Sequence, residues 1–174
     1  MSNDSIWFPD IPKQLNEMYD FAKKVAEDIR NLKHKLSERE LKKLVTDFKR
    51  GVETINLICI KIGAKYEVAK RANREMHISL AERADISNKI DALTNELNRI
   101  VETAAMGEFL GEHPKLAEKA YMKLYAEGVD DFELPEKISE EEAENEFLRW
   151  INDIKWYTGD LLFELDEAIR DHFK

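Results

Sequence analysis

The residues most capable of chemistry in this chain are carboxylates and histidines. Glu141 and Glu144 stand three apart, and Glu164 and Glu167 repeat that spacing 23 residues further on. Two such pairs facing each other could hold magnesium, which takes oxygen ligands at about 2.0–2.1 Å. Arg71 precedes His77 with five residues between them, a fixed cation beside a group able to carry a proton near neutral pH. The histidines are His34, His77, His113 and His172, and none has a glutamate three residues before it. That Glu-x-x-His spacing is how ferritin-like bundles assemble a di-iron site, so neither a metal site nor a cofactor is expected. Cys59 lies in the apolar run Ile55 to Ile62, where a thiol behaves as a small, unreactive hydrophobe. The chain contains no glycine-rich phosphate loop, nucleophile elbow or zinc-ligand spacing.

These residues depend on the helices that carry them. Paired carboxylates occur in all-α nucleotide pyrophosphohydrolases of the MazG type, but there the second pair ends in Asp, where this chain has Glu167. Both pairs also fall on what reads as one continuous helix, which sets them roughly 35 Å apart. Only a reversal at Thr158-Gly159 would bring them together. Arg71 and His77 have the spacing used by HEPN-type ribonucleases. Nine arginines and four histidines in 174 positions give about 0.6 such matches by chance, so the motif carries no weight alone. No family is recognised in either pattern. A small all-α hydrolase acting on nucleotide or RNA, using Glu164 and Glu167 or Arg71 and His77, is therefore the alternative reading.

The helix that carries the carboxylates runs from Ser139 to Lys174. Ser139 with Glu142 has the form of a capping box. Phe147, Ile151, Ile154, Thr158, Leu161, Leu165, Ala168 and His172 then follow at alternating steps of four and three, the seam of a bundle or coiled coil. Trp156 and Phe163 fall on the face opposite that seam, with Arg149 and Arg170 one repeat further out on the same face.

Other helices are equally marked. From Pro12, tolerated in a first helical turn, Leu15, Met18, Ala22, Val25, Ile29, Leu32 and Leu36 keep the same stepping. Ser37 and Glu40 form a second capping box, predicting helix two with almost no loop and an antiparallel hairpin. Helix two carries the seam Leu41, Val45, Phe48, Val52, Ile55, Cys59, Ile62, Tyr66 and Ala69, and Gly51 and Gly63 bracket its most apolar stretch as candidates for close helix approach. Ser79 and Glu82 form a third box, with a break placed between Asn73 and Ser87. Helix three continues from Ile86 through Ala104 to Gly107–Gly111, and a short helix follows over Pro114–Glu127. Residues 1–11 read as an irregular lead-in and 128–138 as an acidic loop. The prediction is a single all-α domain over 1–174, an antiparallel bundle of three to four long helices plus one short one.

Charged residues make up 36% of the chain, and the formal net charge is −9. Ten acids against the single Lys137 lie between Glu127 and Glu146, so a globally basic nucleic-acid binder is disfavoured. Around the first helix turn Arg39, Lys42, Lys43, Lys49 and Arg50 form a basic stretch without interleaved stacking aromatics, leaving nucleic acid possible but unsupported. One cysteine, no apolar run long enough to span a bilayer and no visible signal peptide point to the cytoplasm and away from membranes. Trp7 and Phe8 are unusual in a tail. The expectation is a non-enzymatic protein acting through protein contacts, within a homo-oligomer or with another protein. Trp156, Phe163, Arg149, Arg170, Trp7 and Phe8 are the candidate contacts. A regulator that occupies a nucleic-acid-binding protein through its acidic surface is a further possibility.

Overall fold

A computed structural model describes residues 10–72, 78–124 and 139–174. Among these the structure is all-helical: α1 (Asp10–Asn31), α2 (Glu38–Arg71), α3 (Leu80–Val101), α4 (Ala104–Gly111), α5 (Pro114–Ala120) and α6 (Glu140–His172). No helix among the described residues is long and apolar enough to cross a membrane.

The helix starts follow from local chemistry. Before α2, the Ser37 hydroxyl accepts the Glu40 N–H at 3.1 Å, while the Glu40 carboxylate accepts the Ser37 N–H at 3.0 Å. Ser79 and Glu82 repeat this exchange before α3. Ser139 caps α6 by accepting the Glu142 N–H at 3.1 Å. Each exchange satisfies backbone donors that a first turn otherwise leaves without partners.

Packing pairs α1 chiefly with α3, and α2 chiefly with α6. The α2–α6 pair is antiparallel, because Lys49 reaches Asp166, Asn56 reaches Lys155 and Thr158, and Tyr66 reaches Glu144. Inside lie Leu15, Phe48, Ile55, Leu97, Phe147 and Leu161, all essentially solvent-free. At about 0.8 kcal/mol per buried methylene, this core is the main stabilising term.

The structure corrects several expectations. Residues 10 and 11 belong to α1 and not to an irregular lead-in. Asp10 suits a positive helix start, and Ile11 is already buried. At its other end α1 stops at Asn31, and six residues precede α2. Leu32 is exposed with no core to hold it, while Leu36 packs against the hydrophobic core. Helix three does not reach Gly107. It stops at Val101 and restarts as α4, because the Thr103 hydroxyl bonds back to the Ile100 carbonyl at 2.7 Å and caps Met106. Helix α5 ends at Ala120 rather than Glu127. Beyond it, buried Asn98 exchanges two 2.8 Å hydrogen bonds with the backbone N–H and C=O of Met122. Those bonds take up the backbone groups that further helix would need. The acidic loop at 128–138 and the tail with Trp7 and Phe8 lie outside the described residues.

Gly51 and Gly63 also part company. A Cβ on Gly51 would lie 2.5 Å from Leu97 Cδ2, whereas one on Gly63 would meet nothing within 4 Å. Only Gly51 marks a close helix approach. Gly63→Ala should therefore stabilise the protein by about 1 kcal/mol, the ordinary helix gain. In Gly51→Ala the overpacking against buried Leu97 outweighs that gain, for a net loss of about 1 kcal/mol. Denaturant midpoints of the two variants check both signs.

Candidate functional site

Three features of the surface and interior could bear function. The first is the outer face of α6. Trp156 is 64% exposed and Phe163 60%. They are seven residues apart, hence on one face, opposite buried Thr158, Leu161 and Leu165. The Lys155 ammonium lies 5.2 Å from the Trp156 ring. Arg149 and Arg170 are exposed, and Arg149 bonds Glu146 at 2.8 Å. The neighbouring helix adds Leu57 (59% exposed), Ile60 (44%) and Val68 (56%). The run Ile55 to Ile62 is thus buried on one side only. Asn56 donates to the Lys155 carbonyl and to Thr158 Oγ1, each at 3.0 Å, which sets Leu57 level with Trp156. Helix α5 and residues 121–124 after it do not cover these aromatics. They pack on another flank of α6, where the Tyr157 hydroxyl donates to the Lys119 carbonyl and the Trp150 indole to that of Leu124.

The predicted basic stretch is not one patch. Lys49 is held to Asp166 of α6 at 2.5 Å, a pairing that raises its pKa. The Arg50 guanidinium lies 4.8 Å from the Phe21 ring of α1, so these two neighbours serve opposite flanks of α2. Lys43 pairs with Asp47, and Arg39 and Lys42 remain exposed on the first two turns. The carboxylate pairs stay far apart as well, because α6 runs unbroken through Thr158-Gly159. Arg71 ends α2, and its proposed partner His77 lies outside the described residues.

The second feature was invisible in the sequence. Glu144 is almost fully buried, and its Oε1 accepts the Ile78 N–H at 2.8 Å and the Tyr66 hydroxyl. Arg83, also fully buried, donates to the Ile78 carbonyl at 2.7 Å. Helices α2, α3 and α6 are thereby tied together where the chain enters α3. Burial, reinforced by the Glu144 carboxylate, pushes the Tyr66 hydroxyl pKa well above its ordinary value. The Glu144 carboxylate thus ties three helices together through hydrogen bonds.

The third feature joins two histidines that are 59 residues apart in the chain. His172, at the end of α6, places Nδ1 3.2 Å from Nε2 of His113 and 3.1 Å from Oε2 of Glu112. Phe109 backs both rings, at 4.7 Å from His113 and 4.9 Å from His172. Beside them is a cleft of about 360 Å³ whose walls include Glu112, His113, Glu164, Glu167 and Asp171. No local spacing could have announced this cluster. The only hint was His172 at a seam position.

Three outcomes follow for the interior. Burial raises the Cys59 thiol from its ordinary 9.0 to about 12, so a thiol reagent at pH 8 should label the native protein only at the rate of unfolding. Glu144→Ala leaves the buried Ile78 N–H without its acceptor beside buried Arg83, and should cost about 2–4 kcal/mol. Chemical denaturation of that variant measures the loss. Alkaline stability carries the same imprint. The native state holds the Tyr66 and Cys59 protons above their unfolded pKa values, so stability should fall as pH rises past about 9.

No protein-family model, no curated protein and no solved structure matches this chain, so its function rests on the geometry of these residues.

Proposed function

We propose that this chain is a non-enzymatic interaction protein: an antiparallel bundle with heptad-like seams, whose outer α6 face contacts a second copy or another protein. The observation that carries this reading is the exposure of Trp156 and Phe163 on one helix face. Burying a large apolar side chain is worth about 1.5–3 kcal/mol, so leaving both in water forgoes several kcal/mol. That is a sizeable share of a typical folding stability of about 5–15 kcal/mol. Single exposed hydrophobics are ordinary. Two aromatics a heptad apart on one helix face are a denser apolar surface than that, and apolar patches mark contact surfaces. Aromatics and arginines are the side chains that most often anchor interfaces, and Arg149 and Arg170 stand at the two ends of this one.

The buried, free Cys59 suits a reducing compartment such as the cytoplasm. The hydrolase reading gains nothing from α6, where Glu144 is committed to Ile78 and Tyr66 and the second pair lies several turns away.

Light scattering on the purified protein and on a Trp156→Glu, Phe163→Glu variant tests the proposal. The wild type should be a dimer or larger, or should retain a co-purifying protein. The variant should be a monomer, or free of that protein, with stability changed by no more than about 0.5 kcal/mol per site because both positions are exposed. A monomeric wild type whose binding partners are unchanged in the variant would overturn it.

A further inference from the structure

The geometry points to a transition-metal site at the lower end of the bundle, formed by Glu112, His113 and His172 and suited to a zinc-class dication. The three ligand atoms come from two places far apart in sequence, the α4–α5 junction and the last turn of α6. All lie within 4.8 Å of one another. A tetrahedral ion with bonds of about 2.0–2.1 Å holds its ligand atoms about 3.3 Å apart. The two separations that involve His172 Nδ1, 3.2 Å to His113 and 3.1 Å to Glu112, match that edge length.

The proton inventory argues the same way. An imidazole nitrogen offers one in-plane position, either a proton or a lone pair. His172 Nδ1 can therefore serve a second imidazole nitrogen and a carboxylate oxygen together only through one shared, weakened hydrogen bond. As a donor to one at full strength it leaves the other poorly served. As an acceptor it meets the carboxylate lone pair against lone pair. One dication placed between the three atoms satisfies them all.

Two imidazoles and one carboxylate select first-row transition ions over magnesium or calcium, which prefer all-oxygen sites. The same donor set in zinc proteins leaves a fourth position open. Here Glu112 and His113 also line the cleft that carries Glu164, Glu167 and Asp171, whose negative charge favours a cation further. Glu164 and Glu167, too far along α6 to act with the pair at Glu141, belong to this neighbourhood. Packing of Phe109 against both imidazoles and against Phe173 holds the rings in place before any ion arrives. The bound ion would staple the end of α6 to the α4–α5 junction.

The test uses the full chain, stripped with a chelator and titrated with zinc chloride in a calorimeter and with cobalt(II) chloride by visible absorption. One equivalent of zinc per chain should bind. Cobalt should show the intense visible bands of tetrahedral coordination, and magnesium should give no heat. His113→Asn and His172→Asn should weaken zinc by at least about 100-fold, and Glu112→Gln, at an exposed position that tolerates change, by about tenfold. His34→Asn, which alters an exposed histidine elsewhere, should bind as the wild type does. Circular dichroism verifies that each variant is folded, and Glu112→Gln decides the matter if the histidine variants are not. Absence of saturable zinc binding, or equal affinity in Glu112→Gln and the wild type, would overturn the site.

Discussion

Helix α6 is apolar around more of its circumference than one neighbour can bury, and the rest of the molecule is arranged to meet that demand. Helix α2 takes one flank along nearly its whole length, from the Lys49–Asp166 pair to the Tyr66–Glu144 bond. The short α5 and the segment that follows it take the other, pinned by Tyr157 and Trp150. Between the two flanks runs the buried seam from Phe147 to Ala168. What neither partner reaches is the outer side, where Trp156 and Phe163 stand exposed. A helix whose core-facing side is already filled has no internal reason to keep two aromatics there.

A second constraint governs the places where the chain is not helical. Backbone groups leaving a helix need new partners once they are buried, and side chains from other helices supply them. Glu144 and Arg83 hold the two peptide groups of Ile78, and Asn98 does the same for Met122. These bonds fix the entries to α3 and the exit from α5. They also explain why Arg83, Glu144 and Asn98 are tolerated in an interior that is otherwise apolar. Such positions respond steeply to mutation, because removing one partner strands the other in a low-dielectric interior.

Much of this was legible in the sequence because it is written locally. The serines at 37, 79 and 139 cap the helices they precede, and the alternating four and three steps name most of the buried residues of α1, α2 and α6. The exposed aromatics of α6 follow from the same periodicity. Features set by distant contacts carried no such mark. The end of α5 depends on Asn98, more than twenty residues earlier. The apolar run of α2 is two-faced, and only its packing shows which half is buried. Thr103 as a helix start was overlooked because the seam runs through it unbroken. The His113–His172 cluster is purely tertiary, since nothing within either local sequence anticipates the other.

The central claim is that the outer face of α6 is a contact surface, and site-specific photo-crosslinking examines it most directly. A photoreactive residue is placed at position 163 in the cell, with a control at exposed Lys23 of α1. The account predicts a discrete crosslinked species, to a second copy or to another protein, from position 163 and none from position 23. A protein that yields no product from position 163, or the same products from both positions, would contradict it.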